Sequence, residues 1–68
     1  MNTRRIEIAP EEVRAGDVLV RSAGAFPVIE APKPEIRAGR RWVRVTTTRR
    51  AYRLNPRSRF EVIREVVR

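Results

Sequence analysis

Apolar and polar residues alternate along most of this chain. In Arg4-Arg5-Ile6-Glu7-Ile8-Ala9, Ile6 and Ile8 fall on one face and Arg5 and Glu7 on the other, the period-two pattern of a half-buried strand. Pro10-Glu11-Glu12-Val13-Arg14-Ala15 predicts a short helical turn, because proline suits a first helical position and glutamates suit a helix N-terminus. Val13 then enters the core and Gly16-Asp17 turns the chain. Asp17–Arg21 is a second strand, Ser22–Ala25 a loop, and Phe26–Glu30 a third strand that Pro27 demotes to an edge or a bulge. Ala31-Pro32-Lys33-Pro34-Glu35 reads as a stiff extended loop, followed by a turn at Gly39. Arg40–Arg49 is the longest strand, rich in the β-branched and aromatic residues that pleated sheets favour. Arg50–Leu54 is the next, although no glycine marks the join. Asn55-Pro56-Arg57-Ser58 is a turn. The final stretch, Phe60–Val67, fits either a strand with a bulge or a helical face of Val62, Ile63, Val66 and Val67, and its β-branched density favours the strand.

Short strands with turn signals between them predict an all-β fold. Residues 1–68 are read as a single small domain, an SH3-like barrel or roll of five or six strands with one helical turn near residues 10–15. An OB-like barrel is the second choice, for which the chain is short. Sixty-eight residues bury little: a core of this size rarely supplies more than about 3–5 kcal/mol. Closure would leave few unpaired edges.

Charge changes the picture most. The sequence holds 16 Lys plus Arg against 8 Asp plus Glu, a formal +8, and Lys33 is its one lysine. Arginine in place of lysine fits either bidentate contact with phosphate or carboxylate or a GC-rich coding bias, and the latter does not by itself explain a twofold excess of base over acid. A field of this sign attracts polyanions. There is no cysteine and no histidine, which excludes disulfides and Cys/His zinc sites and is consistent with a cytoplasmic location. The start of the chain shows no apolar signal segment, and no run approaches the ~18 apolar residues of a membrane span.

Glu12-Val13-Arg14-Ala15-Gly16-Asp17-Val18-Leu19-Val20 resembles the apolar-x-x-Gly-Asp-apolar opening of many SH3-like barrels of the translation and transcription machinery. Val43-Arg44-Val45-Thr46 and Tyr52-Arg53-Leu54-Asn55-Pro56 are similar to segments of short Arg-rich orphan proteins of actinobacteria and their phages. The first resemblance covers about nine residues and the second about half the chain. Neither contains a catalytic or binding motif, so they imply a fold more than a function; the phage resemblance implies a small regulator of host machinery.

The long strand carries the candidate chemistry. Val43, Val45 and Thr47 share one face with Arg41 and Arg49, and the valines mark it as the core side. The opposite face presents Arg40, Trp42, Arg44, Thr46, Thr48 and Arg50. A flat ring among guanidinium groups suits nucleic acid, with stacking worth ~1–3 kcal/mol per base and charge set against phosphate. The competing reading makes Trp42 a cap on an open barrel end, with Arg44 over it as a cation–π pair. Tyr52 and Phe60 read as core. Arg49, Arg50, Arg53, Arg57 and Arg59 form a second basic cluster, suited either to a phosphate backbone or to exposed pairing with Glu61 and Glu65. Catalysis is not expected: no Ser-His-Asp or Cys-His set is possible, no Gly-rich phosphate loop exists, and guanidinium does not exchange its proton near neutrality. No cofactor or metal is expected. Two functions remain. One is a nucleic-acid-binding domain, for DNA or RNA, through Arg40, Trp42, Arg44, Arg49, Arg50, Arg53, Arg57 and Arg59. The other is a protein–protein module that meets an acidic partner, docks by β-augmentation or Pro32-Lys33-Pro34, or self-assembles as a homo-oligomer.

Overall fold

The computed structural model describes residues 2–66. Seven strands and one 3-10 turn follow in the order β1 (Asn2–Ile8), η1 (Pro10–Glu12), β2 (Val18–Arg21), β3 (Gly24–Pro27), β4 (Lys33–Arg37), β5 (Arg40–Thr46), β6 (Ala51–Leu54) and β7 (Phe60–Val66). The fold is all-β, as the alternation predicts. It forms two antiparallel sheets, one ordered β1-β7-β2-β3 and the other β4-β5-β6. β7 pairs with β1 without interruption from Ile8↔Phe60 to Asn2↔Val66 and with β2 through Val18↔Ile63 and Leu19↔Val62. The ambiguity at residues 60–66 therefore resolves as a strand with no bulge against β1; Val67 lies outside the described residues.

The two sheets share one core of Ile8, Val13, Leu19, Val28, Val43, Val45, Leu54 and Val62, with Ile6, Tyr52 and Phe60 packed against it. Tyr52 and Phe60 thus take the core role expected of them. The sheets are stitched at one corner. Val28 bridges Thr47, the Ile29 amide donates to the Thr46 carbonyl at 3.0 Å, and the Thr48 amide donates to the Pro27 carbonyl at 3.0 Å. The result is a roll rather than a closed barrel.

The strand count differs from the expected five or six because β4 forms where the two prolines suggest a loop. β4 is an edge strand, where a proline's missing N–H need not break a ladder, and Pro34 sits opposite Val43. The helical turn is shorter than residues 10–15: the chain is extended again at Val13, whose side chain is buried. The Glu12 carboxylate accepts the Ala9 amide at 3.1 Å and holds this single turn.

Asp17 fastens the connection from η1 into β2. It is 3 % exposed, and its carboxylate accepts the Arg14 amide (2.9 Å) and a forked pair from Arg64, Nε at 3.0 Å and a terminal nitrogen at 2.8 Å. The same Arg64 group donates to the Glu12 carbonyl at 3.0 Å. Gly16, at φ +97°, makes the turn that presents this acid. The Gly-Asp pair is therefore a structural latch between the η1 loop and β7.

β5 ends at Thr46 rather than Arg49. The buried Thr47 hydroxyl donates to the Arg50 carbonyl at 2.8 Å and accepts the Arg49 and Arg50 amides at 3.3 and 3.2 Å, while the Thr47 amide donates to the same carbonyl at 2.9 Å. One side chain thus closes a two-residue turn at Thr48-Arg49 without glycine. Thr47→Val keeps the shape but deprives the Arg49 and Arg50 amides of their acceptor, while the Arg50 carbonyl keeps the Thr47 amide; a loss of about 1 kcal/mol is expected in urea unfolding.

Candidate nucleic-acid interface

Register decides which basic residues meet. In antiparallel pairs, directly opposite residues share a face. Arg44 lies between Lys33 of β4 and Arg53 of β6; Trp42 faces Glu35; Arg40 faces Arg37. Since Val43, Val45 and Leu54 fill the core, these residues occupy the outer face of the three-stranded sheet. Arg40, Arg44 and Arg53 are exposed there.

Trp42 is half-buried and is not part of the core cluster. It lines an open hollow of about 640 Å3 together with Arg40, Arg41, Asn55, Pro56 and Arg57. The β6–β7 turn builds one wall. Asn55 accepts the Arg57 amide through its side chain at 2.9 Å, and its carbonyl accepts the Ser58 amide at 3.1 Å, with Pro56 at the position where its fixed φ suits a turn. Three arginines and no acid line this hollow. The guanidinium–ring contacts among the described residues lie elsewhere: Arg21 over Tyr52 and Phe60, at 5.4 and 5.5 Å, and Arg50 over Tyr52 at 6.0 Å. The cation–π pairing of Arg44 with Trp42 is not formed.

The candidate arginines therefore separate. Arg40, Trp42, Arg44 and Arg53 stand on one face and Arg57 joins them at the hollow. Arg49 sits in the Thr48-Arg49 turn. Arg50 follows the reversal and reaches Tyr52, which is opposite Val45 on the core side. Arg59 is exposed between the turn and β7. Lys33, Glu35 and Arg37, which sequence reasoning missed, enter through β4. Their period-two spacing was a usable signal, overridden by the flanking prolines.

Glu35 is the only acid of this sheet. Its carboxylate accepts Arg53 Nε at 2.5 Å and lies 3.8 Å from Arg44. The Arg53 hydrogen bond is the main cause, with the charges of Arg53, Arg44 and Arg37, that holds its carboxyl below the usual range against a smaller opposing effect of burial. The pairing aligns Arg53 across the face and leaves a large surplus of positive charge. Residues 33–59 contain Lys33 and nine arginines against Glu35, a formal +9; residues 1–32 carry −1 and residues 60–68 carry none. The net charge of the protein thus belongs to the β4-β5-β6 half.

Among the described residues no group of acids is arranged to hold a metal ion, and no helix is long and apolar enough to cross a membrane. No family model, curated protein or solved structure matches this chain.

Proposed function

We propose that this protein is a non-catalytic nucleic-acid-binding domain whose contact surface is the outer face of β4-β5-β6 and the adjoining hollow. The observation that carries the reading is the segregation of charge: one three-stranded sheet and its turns hold the entire surplus, and its only acid is already paired. Arg40, Arg44, Arg53 and Arg57 meet phosphates, and the Trp42 ring offers a flat apolar surface to a base or sugar. Binding of this kind is mainly electrostatic and weakly selective for sequence, because guanidinium–phosphate contacts position a duplex or strand without reading it.

The test is a titration with labelled single- and double-stranded oligonucleotides at two salt concentrations, with Trp42 emission followed in the same sample. Saturable binding, an affinity that falls with salt, and altered emission are expected. Absence of binding near physiological salt, with unchanged emission, would overturn the reading in favour of an acidic protein partner.

A further inference from the structure

The outer half of the β4–β5 hairpin stands free of the fold. β6 pairs only with Val43–Thr46 of β5, so beyond Val43 the strands β4 and β5 have no other strand partner, and only the Asn55-Pro56-Arg57 turn stands near them, across the hollow. Residues 36–41 are exposed without exception. Their reversal, Ala38-Gly39, has positive φ at both positions (51° and 73°), as a tight two-residue hairpin turn requires. Arg37 and Arg40 face each other on one side of this ribbon, Ile36 and Arg41 on the other. Ile36 is 74 % exposed, more than any other large apolar residue among the described residues. A solitary surface isoleucine is ordinary. This one lies next to the tip of a ribbon with three arginines and no acid, where it contributes nothing to the core.

We propose that this hairpin is an arm that enters a groove of duplex DNA, with Arg37, Arg40 and Arg41 against the phosphates and Ile36 as an apolar wedge against a base step. Paired strands lie about 4.8 Å apart, and the B-DNA major groove, about 12 Å wide, admits a two-stranded ribbon. Apolar wedges pressed between base steps, a device of minor-groove binders, kink the duplex so that it wraps more protein surface. A-form RNA suits the arm less, because its major groove is deep and narrow. The inference rests on the nucleic-acid reading above and specifies the form of nucleic acid and the mode of contact.

The experiment is a duplex labelled at both ends, read for affinity across a salt series and for end-to-end distance, with wild type, Ile36→Ser and Arg37→Gln/Arg40→Gln. Wild type is expected to shorten the end-to-end distance. Ile36→Ser is expected to retain the salt slope but to lose most of the shortening. The double arginine variant is expected to flatten the salt slope by about 2, near 0.9 per phosphate contact. Circular dichroism of each variant confirms the fold, which these exposed positions do not support. Binding without shortening, or equal shortening by Ile36→Ser, overturns the arm. So does a change in sedimentation on Ile36→Ser, which makes the tip a contact between copies. Binding to single strands alone overturns the arm and leaves the proposed function standing; no binding to any nucleic acid overturns both.

Discussion

Asp17→Ala is expected to abolish folding. The substitution removes a carboxylate that is 3 % exposed and leaves the Arg64 guanidinium, 23 % exposed, without its partner. Removing one member of a buried ion pair costs about 3–5 kcal/mol; with Arg64 in partial reach of water the lower end applies, still about what a core of this size supplies. Far-UV circular dichroism should show a disordered chain where the wild type shows strand. Asp17→Asn combined with Arg64→Gln should destabilise less than the two single changes added together, since neither charge is then left alone. A stable, fully folded Asp17→Ala protein would mean that the latch between the η1 loop and β7 is incidental.

The same pair sets a pH dependence. Burial pushes the Asp17 carboxyl up, but the Arg64 and Arg14 hydrogen bonds and the charges of both arginines together outweigh it and hold the pKa below its ordinary value. A group whose folded pKa is depressed contributes stability above its unfolded pKa and loses it as pH falls through the folded one. The wild type is therefore expected to lose stability on acidification below the ordinary carboxylate range. Asp17→Asn, measured by urea midpoints over that interval, should lose less.

The second large effect concerns binding. Arg40→Gln/Arg44→Gln/Arg57→Gln removes three cations that the register and the Asn55-Pro56 turn bring to one side of the molecule, none of them in the core. If each meets one phosphate, the slope of log affinity against log salt should flatten by about 2–3, from about 0.7 per contact on a single strand or 0.9 on a duplex, with thermal stability little changed. Glutamine substitutions at Arg4, Arg14 and Arg21, on the half without net positive charge, should leave that slope nearly as it was. Equal loss from both sets would show that total charge, not its placement, drives association.

Much of this architecture is readable in the chain itself. The alternation in Arg4–Ala9, Asp17–Arg21 and Arg40–Thr46 corresponds to β1, β2 and β5, because a strand buried on one face must alternate and nothing local opposes it. β4 escapes notice because proline statistics describe central strands, whereas an edge strand tolerates Pro34. The partition of the arginines was half legible. Arg40, Trp42 and Arg44 share a face by simple period. The continuation to Arg50 fails at a side-chain hydroxyl: Thr47 gathers three backbone groups and reverses the chain, a turn that composition does not announce. The pairing of Glu35 with Arg53, eighteen residues on, depends on three strands lying in register and has no local signature.

The position of β7 between β1 and β2 has a consequence for how the protein comes into being. The β4-β5-β6 meander joins neighbouring strands through short turns, so its pairing becomes available as soon as those residues have left the ribosome. The other sheet lacks its middle until Phe60–Val66 has been made, and β1 waits more than fifty residues for its partner. Non-local pairings of this kind close slowly. During synthesis the cationic sheet can thus complete its pairing before the strand that joins β1 to the β2–β3 hairpin has been made.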